Sequence, residues 1–192
     1  YDAMNKGIGL CKGKWVILLN AGDTFHSAND LNSLMTFLNS VESDIVYANY
    51  CRVNGYGTRF TTIQDLSVLK KTMIFCHQAT IVRKKLYEEY MYDLSYKLVA
   101  DYAFFLRAYL NKKKFSYFDY FLIDYDVNGE SAKQMLNTYK EIRKVRKDLL
   151  GNKLGVADNI SYVMGLIKRF VLSNMPQKLR WIIVSRINNR FY

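Results

Sequence analysis

Three places in the chain carry side chains suited to chemistry: Asp23, the His77-Gln78 pair and Asp101. Asp23 closes the stretch Trp15-Val16-Ile17-Leu18-Leu19-Asn20-Ala21-Gly22-Asp23, where an unbroken apolar run gives way at once to Asn20, Gly22 and Asp23. A carboxylate there is placed where a ligand, a metal or a phosphate would be met. The same residues also suit a plain turn, because Asn, Gly and Asp are the usual turn formers. His77 and Gln78 interrupt the apolar segment Ile74–Arg83, and a histidine so placed is either a hydrogen-bonded core residue or a site group. Asp101 is the single carboxylate of the apolar segment Leu98–Arg107. It can accept a proton from a hydroxyl, or simply favour the first turn of a helix through the helix dipole.

The elements that must position these groups follow from apolar spacing. Residues 2–12 suit a helix with Met4, Ile8 and Cys11 on one face, ended at Gly13. The Trp15–Leu19 run reads as a strand buried on both faces, as in a mostly parallel sheet. Ligands of such sheets sit beyond the carboxyl ends of the strands, where Asp23 falls. A helix through Ser40, opened by Ser27 or Asn29, buries Leu31, Leu34, Met35 and Leu38. Asp44–Tyr50 reads as the next strand, and the αβαβ order points to an α/β fold. Gly55 and Gly57 mark a hairpin turn. Lys84–Tyr90 and Leu98–Arg107 read as helices, and Phe115–Asp126 as an aromatic strand ending at Asn128-Gly129. After Ser131 the chain is basic and helical, with breaks at 151–155 and at Pro176.

With half of its 192 residues apolar and a single proline, the chain is a folded protein. Cys11, Cys51 and Cys76 are odd in number and without a CxxC pair, a usage that fits a reducing compartment and predicts neither a disulfide framework nor a zinc site. No apolar run reaches the length of a membrane span. The net charge of +11 is uneven: residues 131–192 hold 13 Lys+Arg against 3 Asp+Glu, and residues 1–130 hold 15 against 14.

In combination these features resemble the family 2 glycosyltransferases of the GT-A fold, especially the bacterial cell-surface polysaccharide type. Tyr1-Asp2-Ala3-Met4-Asn5-Lys6-Gly7-Ile8 is similar to the segment before that family's metal-binding strand, and Leu18–Asp23 stands in the place of its DXD motif. His77-Gln78-Ala79 and Ala100-Asp101-Tyr102 resemble its acceptor-side motifs, and Val127-Asn128-Gly129-Glu130-Ser131 the step closing its catalytic domain. The resemblance implies a Rossmann-like, mostly parallel sheet that lacks its N-terminal nucleotide-binding strands, so the chain is expected to be a piece cut inside a domain. Residues 1–130 would be the partial catalytic domain and 131–192 a basic helical extension. It further implies Asp23 as ligand of Mg²⁺ or Mn²⁺, with Asn5 and Asn20 beside the cofactor and donor. His77 and Gln78 would lie on the acceptor side, with Asp101 as the base of an inverting transfer. Asn20, Gly22 and Ala100 stand where the family often has further acids.

The expected partners are a nucleotide-sugar donor and a cell-surface glycan or lipid-linked acceptor. The stretch 159–192 interleaves Lys and Arg with large aliphatics and has no acid, which suits an anionic membrane surface better than nucleic acid. The expected location is cytoplasmic, on the inner face of the plasma membrane. The competing reading is a non-catalytic basic membrane-surface or scaffolding module.

Overall fold

The structure is a computed structural model and describes residues 1–54, 57–61, 65–126, 134–151, 155–176, 178–180 and 182–183. Helix α1 (Asp2–Leu10) leads into β1 (Trp15–Ile17) and β2 (Thr24–Phe25), followed by α2 (Ala28–Ser40). Strands β3 (Ile45–Asn54) and β4 (Gly57–Thr61) form a hairpin closed by the Asn54–Gly57 pair. Two short 3-10 turns, Leu66–Lys70 and His77–Ala79, precede β5 (Thr80–Arg83), α3 (Lys84–Glu89), α4 (Ala100–Leu110) and β6 (Phe115–Asp126). The described chain continues through α5 (Met135–Leu150) and α6 (Val156–Ser173). The Val127–Ser131 motif lies outside the described residues.

One mixed sheet runs in the order β1-β5-β3-β6-β2, with β4 on the far half of β3. The long central strand β3 feeds both faces by the two-residue alternation of strands. Ile45 packs under α1, α3, α4 and α5, whereas Val46 and Ala48 pack on the other face with Leu34 and Leu38 of α2. The α/β layering is therefore as the residue pattern predicts.

The direction of the strands differs from that expectation. Among the described strands only β3 and β6 pair in parallel; β1–β5, β3–β5, β3–β4 and β2–β6 are antiparallel. The run Trp15–Leu19 yields a strand of three residues, Trp15–Ile17, at the sheet edge, and only Val16 within it is buried. Trp15 is covered by another contact. It carries the Arg83 guanidinium 4.3 Å above its ring, while Arg83 also donates to the carbonyls of Val41 and Ser43. Apolar residues on an edge strand can thus be covered by side chains, so an unbroken run does not establish a central parallel strand.

The C-terminal helices differ in how they are held. Helix α5 packs on α4 and contributes Val145 to the same core as Ile45 and Phe105. The charge boundary near residue 131 is therefore not a break in packing. All three acids beyond it are engaged: Glu141 bonds the loop before α4, Asp148 accepts from the Tyr96 hydroxyl at 2.8 Å, and Asp158 pairs with Arg146.

Candidate functional site

Asp23 sits at the end of a tight turn. Its amide donates to the Asn20 carbonyl at 3.1 Å, and Gly22 adopts φ 96°, a conformation that a Cβ would oppose. Asn20 is exposed on this turn and Asp23 is half-buried.

The turn His77–Ala79 links Asp23 to Asp101. Gln78 is 2% exposed, and its Nε2 donates to Asp23 Oδ2 at 2.8 Å while its Oε1 accepts the Cys76 thiol at 2.6 Å. A carboxylate can only accept, so these two bonds fix which end of the amide faces Asp23. Burial pushes the Cys76 thiol up to about 12, which keeps it a donor. The adjacent residue turns the other way, and His77 Nδ1 lies 3.1 Å from Asp101 Oδ2. Two carboxylates separated by 78 positions are thus held by consecutive side chains of a single 3-10 turn.

Asp101 occupies the first turn of α4 and is partly screened from water, its side chain 16% and that of His77 13% exposed. Its Oδ1 accepts from the Tyr1 hydroxyl at 2.7 Å and the Tyr102 amide at 2.9 Å. Burial works to raise this carboxyl, but the bond and charge of His77, together with the Tyr1 and Tyr102 bonds, outweigh it. Asp101 is left below the ordinary carboxylate value. An ionised Asp101 needs a donor at Nδ1 of His77, which leaves Nε2 as the ring's second polar atom. That atom is buried and has no hydrogen-bond partner among the described residues. Burial and the neighbouring Asp101 in turn drive the Tyr1 hydroxyl far above its usual value.

Asn5 contributes at one remove. Both ends of its amide bond the Tyr92 backbone, at 2.9 and 3.0 Å. The Tyr92 ring lies 5.3 Å from that of Tyr1, so Asn5 pins the loop that backs the tyrosine donor to Asp101. The site as placed therefore brings together Asp23, Gln78, His77 and Asp101, with Asn5 behind them and Asn20 on the outer turn.

Two residues of this arrangement carry no local sign of their role. Tyr1 opens the Tyr1–Ile8 motif, but nothing in the sequence marks it as a partner of Asp101. Glu141 lies on α5, yet its carboxylate accepts the amides of Lys97, Leu98 and Val99 at 2.9, 2.6 and 2.9 Å. No side chain of the preceding residue caps α4; Glu141, from a distant helix, instead holds the three consecutive amides of the segment that leads into it. Glu141→Ala is expected to lower stability by about 2–3 kcal/mol, since charge-assisted bonds to partly buried amides are lost. Urea unfolding at neutral pH measures this.

Asp23 alone offers a single oriented carboxylate, which fits a hard cation whose other oxygens come from water and substrate phosphates and not a preformed protein cage. The chain also has a cavity of about 520 Å³, lined among others by Lys71, Tyr139, Arg143, Arg146, Tyr162 and Arg169. None of its lining residues belongs to the carboxylate cluster. Here Tyr139 and Tyr162 stack at 5.3 Å and the Arg169 guanidinium lies 3.7 Å over Tyr139, contacts that join α5 to α6.

No protein-family model matches the chain. It is similar to the PGL/p-HBAD biosynthesis glycosyltransferases of Mycobacterium bovis and Mycobacterium tuberculosis, with 34% identity over 113 residues. The match covers 58% of the chain and 44% of those proteins, so the chain matches less than half the length of these curated relatives. Among solved structures it resembles TarS of S. aureus, with a TM-score of 0.57 and 17% identity, over 88% of the chain and 30% of TarS. It also resembles TarS 1-349 in complex with UDP, with a TM-score of 0.53 and 18% identity, over 86% of the chain and 49% of that structure. At this identity the likeness shows the fold.

Proposed function

We propose that the chain is part of a GT-A glycosyltransferase of family 2 that moves a sugar, with inversion, from a nucleotide donor to a hydroxyl of a cell-surface polysaccharide or lipid-linked acceptor. The observation that carries this reading is the bridging of Asp23 and Asp101 by the adjacent residues Gln78 and His77. The glycosyltransferase names of the mycobacterial relatives and the UDP complex of TarS support it.

In the proposed reaction the acceptor oxygen bonds the anomeric carbon as the bond from that carbon to the donor phosphate breaks. Asp23, oriented by Gln78, would hold Mg²⁺ or Mn²⁺, and such an ion would supply Lewis-acid stabilisation of the charge on the leaving phosphate. Asp101 takes the acceptor proton. Because its carboxyl lies below the ordinary value, it is a weak base, and the proton moves only as the new bond acidifies the hydroxyl. His77, Tyr1 and the Tyr102 amide hold that carboxylate in place. Attack on the face opposite the leaving group inverts the anomeric centre.

Titration of the protein carrying this chain with UDP in the presence of Mn²⁺ is expected to give binding that chelation with EDTA removes. Heat-free titrations with and without metal, alongside an intact melting transition, would sink the reading and leave the non-catalytic module.

Helix α6 supports the membrane part of the proposal. Its residues Ile160, Val163, Met164, Ile167, Phe170 and Val171 are all exposed. Their spacing by three and four places them on one stripe, beside Lys168. No helix among the described residues is long and apolar enough to cross a membrane, so the stripe suits a helix lying in the interface. Co-sedimentation with vesicles containing anionic lipid is expected, and Ile167→Asp with Phe170→Asp should abolish it. Equal pelleting with neutral vesicles, or pelleting that survives the double change, would contradict this placement.

A further inference from the structure

A second group of chemically competent side chains lies away from the Gln78–His77 turn. His26 follows β2, Cys51 lies in β3 and Asp124 in β6, and one donor atom of each lies within 4.8 Å of the others. The sheet register places them together. Cys51 pairs with Asp124 across β3 and β6, Thr24 pairs with Asp124 across β2 and β6, and the His26 amide extends that ladder to the Leu122 carbonyl at 2.9 Å. His26, Cys51 and Asp124 therefore share one face of the sheet.

We propose that these three residues bind a divalent cation of the Zn²⁺ class, at a site distinct from Asp23. The donor set is the first reason. One thiolate, one imidazole and one carboxylate form a mixed soft and borderline set that suits Zn²⁺ and disfavours the all-oxygen cations Mg²⁺ and Mn²⁺. Distances are the second. Tetrahedral bonds of the usual Zn–S and Zn–N lengths put sulfur and nitrogen about 3.5 Å apart; Cys51 Sγ and His26 Nδ1 are 3.7 Å apart. The same geometry needs nitrogen and oxygen about 3.3 Å apart, and His26 Nδ1 and Asp124 Oδ1 now hydrogen-bond at 2.7 Å. Entry of the ion opens that bond by about 0.6 Å and turns both atoms onto the metal.

Binding also requires the Cys51 thiol to release its proton to solvent. The thiolate and the Asp124 carboxylate then neutralise the two charges of the ion. The fourth position falls on the solvent side, because the side chains of His26 and Asp124 are 34% and 31% exposed while Cys51 is fully buried beneath them. Apolar rings flank the imidazole. Phe60, the antiparallel partner of Cys51, and Phe121 meet the His26 ring in edge-type packing, with centroids 6.2 and 6.3 Å away. Such a shell lowers the local dielectric and strengthens metal–ligand bonds. Strand β2 has only two residues and begins directly after Asp23. A metal clamp from His26 to β3 and β6 would fix the strand on which the Asp23 turn rests.

Titration of the whole chain with Co²⁺ under reducing conditions tests the site without reference to activity. A near-ultraviolet thiolate-to-Co²⁺ charge-transfer band is expected, bleached by equimolar Zn²⁺ and unaffected by excess Mg²⁺. Cys51→Ser should remove the band, whereas Cys11→Ser should retain it. His26→Ala should weaken Zn²⁺ binding more than about 100-fold, beyond the usual effect of an outer-shell change. Wild-type protein should melt at higher temperature with Zn²⁺. Absence of the band in wild type, or its survival in Cys51→Ser, overturns the proposal. If Cys51→Ser does not fold, the exposed His26 decides: unchanged Zn²⁺ affinity in His26→Ala overturns it equally.

Discussion

Asp101→Asn is expected to lower turnover by about 10²–10⁴-fold, the usual contribution of a positioned general base, while leaving donor binding nearly unchanged. The amide has the same shape but cannot take a proton, and its NH₂ must face one of the three donors now aimed at Asp101: Tyr1, the Tyr102 amide or His77. A loss of turnover with intact UDP binding separates a chemical role from mere support of the fold. The same variant gives a pH signature. Asp101 lies below its ordinary value in the folded chain, and a carboxyl so depressed adds stability that is complete above its unfolded pKa of about 3.9. That increment is lost as the pH falls through the folded value. Wild type is therefore expected to exceed Asp101→Asn in stability at pH 7, with the two converging in acid below about pH 4. Urea unfolding at both pH values measures the gap. A gap independent of pH would show that Asp101 does not act as an ionised partner of His77.

Asp23→Asn should act on the other half of the reaction. Its amide oxygen can still accept from Gln78 Nε2, now 2.8 Å from the carboxylate, so the fold should persist. The lost negative charge should weaken Mn²⁺-dependent UDP binding and slow transfer by about 10²–10³-fold, matching the several kcal/mol that a Lewis-acid ion supplies. The two variants differ in what they spare: Asp101→Asn keeps metal-dependent donor binding and Asp23→Asn loses it. If Asp23→Asn retained wild-type metal dependence, the ion would have to be held elsewhere.

How far these groups could be recognised in advance follows from the range over which each signal acts. Asp23, His77, Gln78 and Asp101 stand out because each interrupts an apolar stretch within a few residues. Helix α1, strand β3, helix α4 and strand β6 follow from local periodicity in the same way. Strand direction did not follow. Trp15–Leu19 has the composition of a buried parallel strand but forms a short edge strand covered by Arg83, a contact made by a residue 68 positions away. Asn5 stands out by its place in a motif, whereas the bonding of its amide to Tyr92 in both directions is visible only in the structure.

Residue types, helix and strand periods and the uneven charge were properties of the chain itself, and they sufficed to single out Asp23, His77, Gln78 and Asp101 as candidates and to give the α/β class. Tertiary structure alone decided which of them meet: Gln78 with Asp23 across 55 positions, Tyr1 with Asp101 across 100, Glu141 with the start of α4, and Cys51 with His26 and Asp124 without any metal-binding spacing. Side-chain chemistry and backbone period are set by near neighbours, whereas such meetings depend on strand order and register, which the packing of the whole sheet selects.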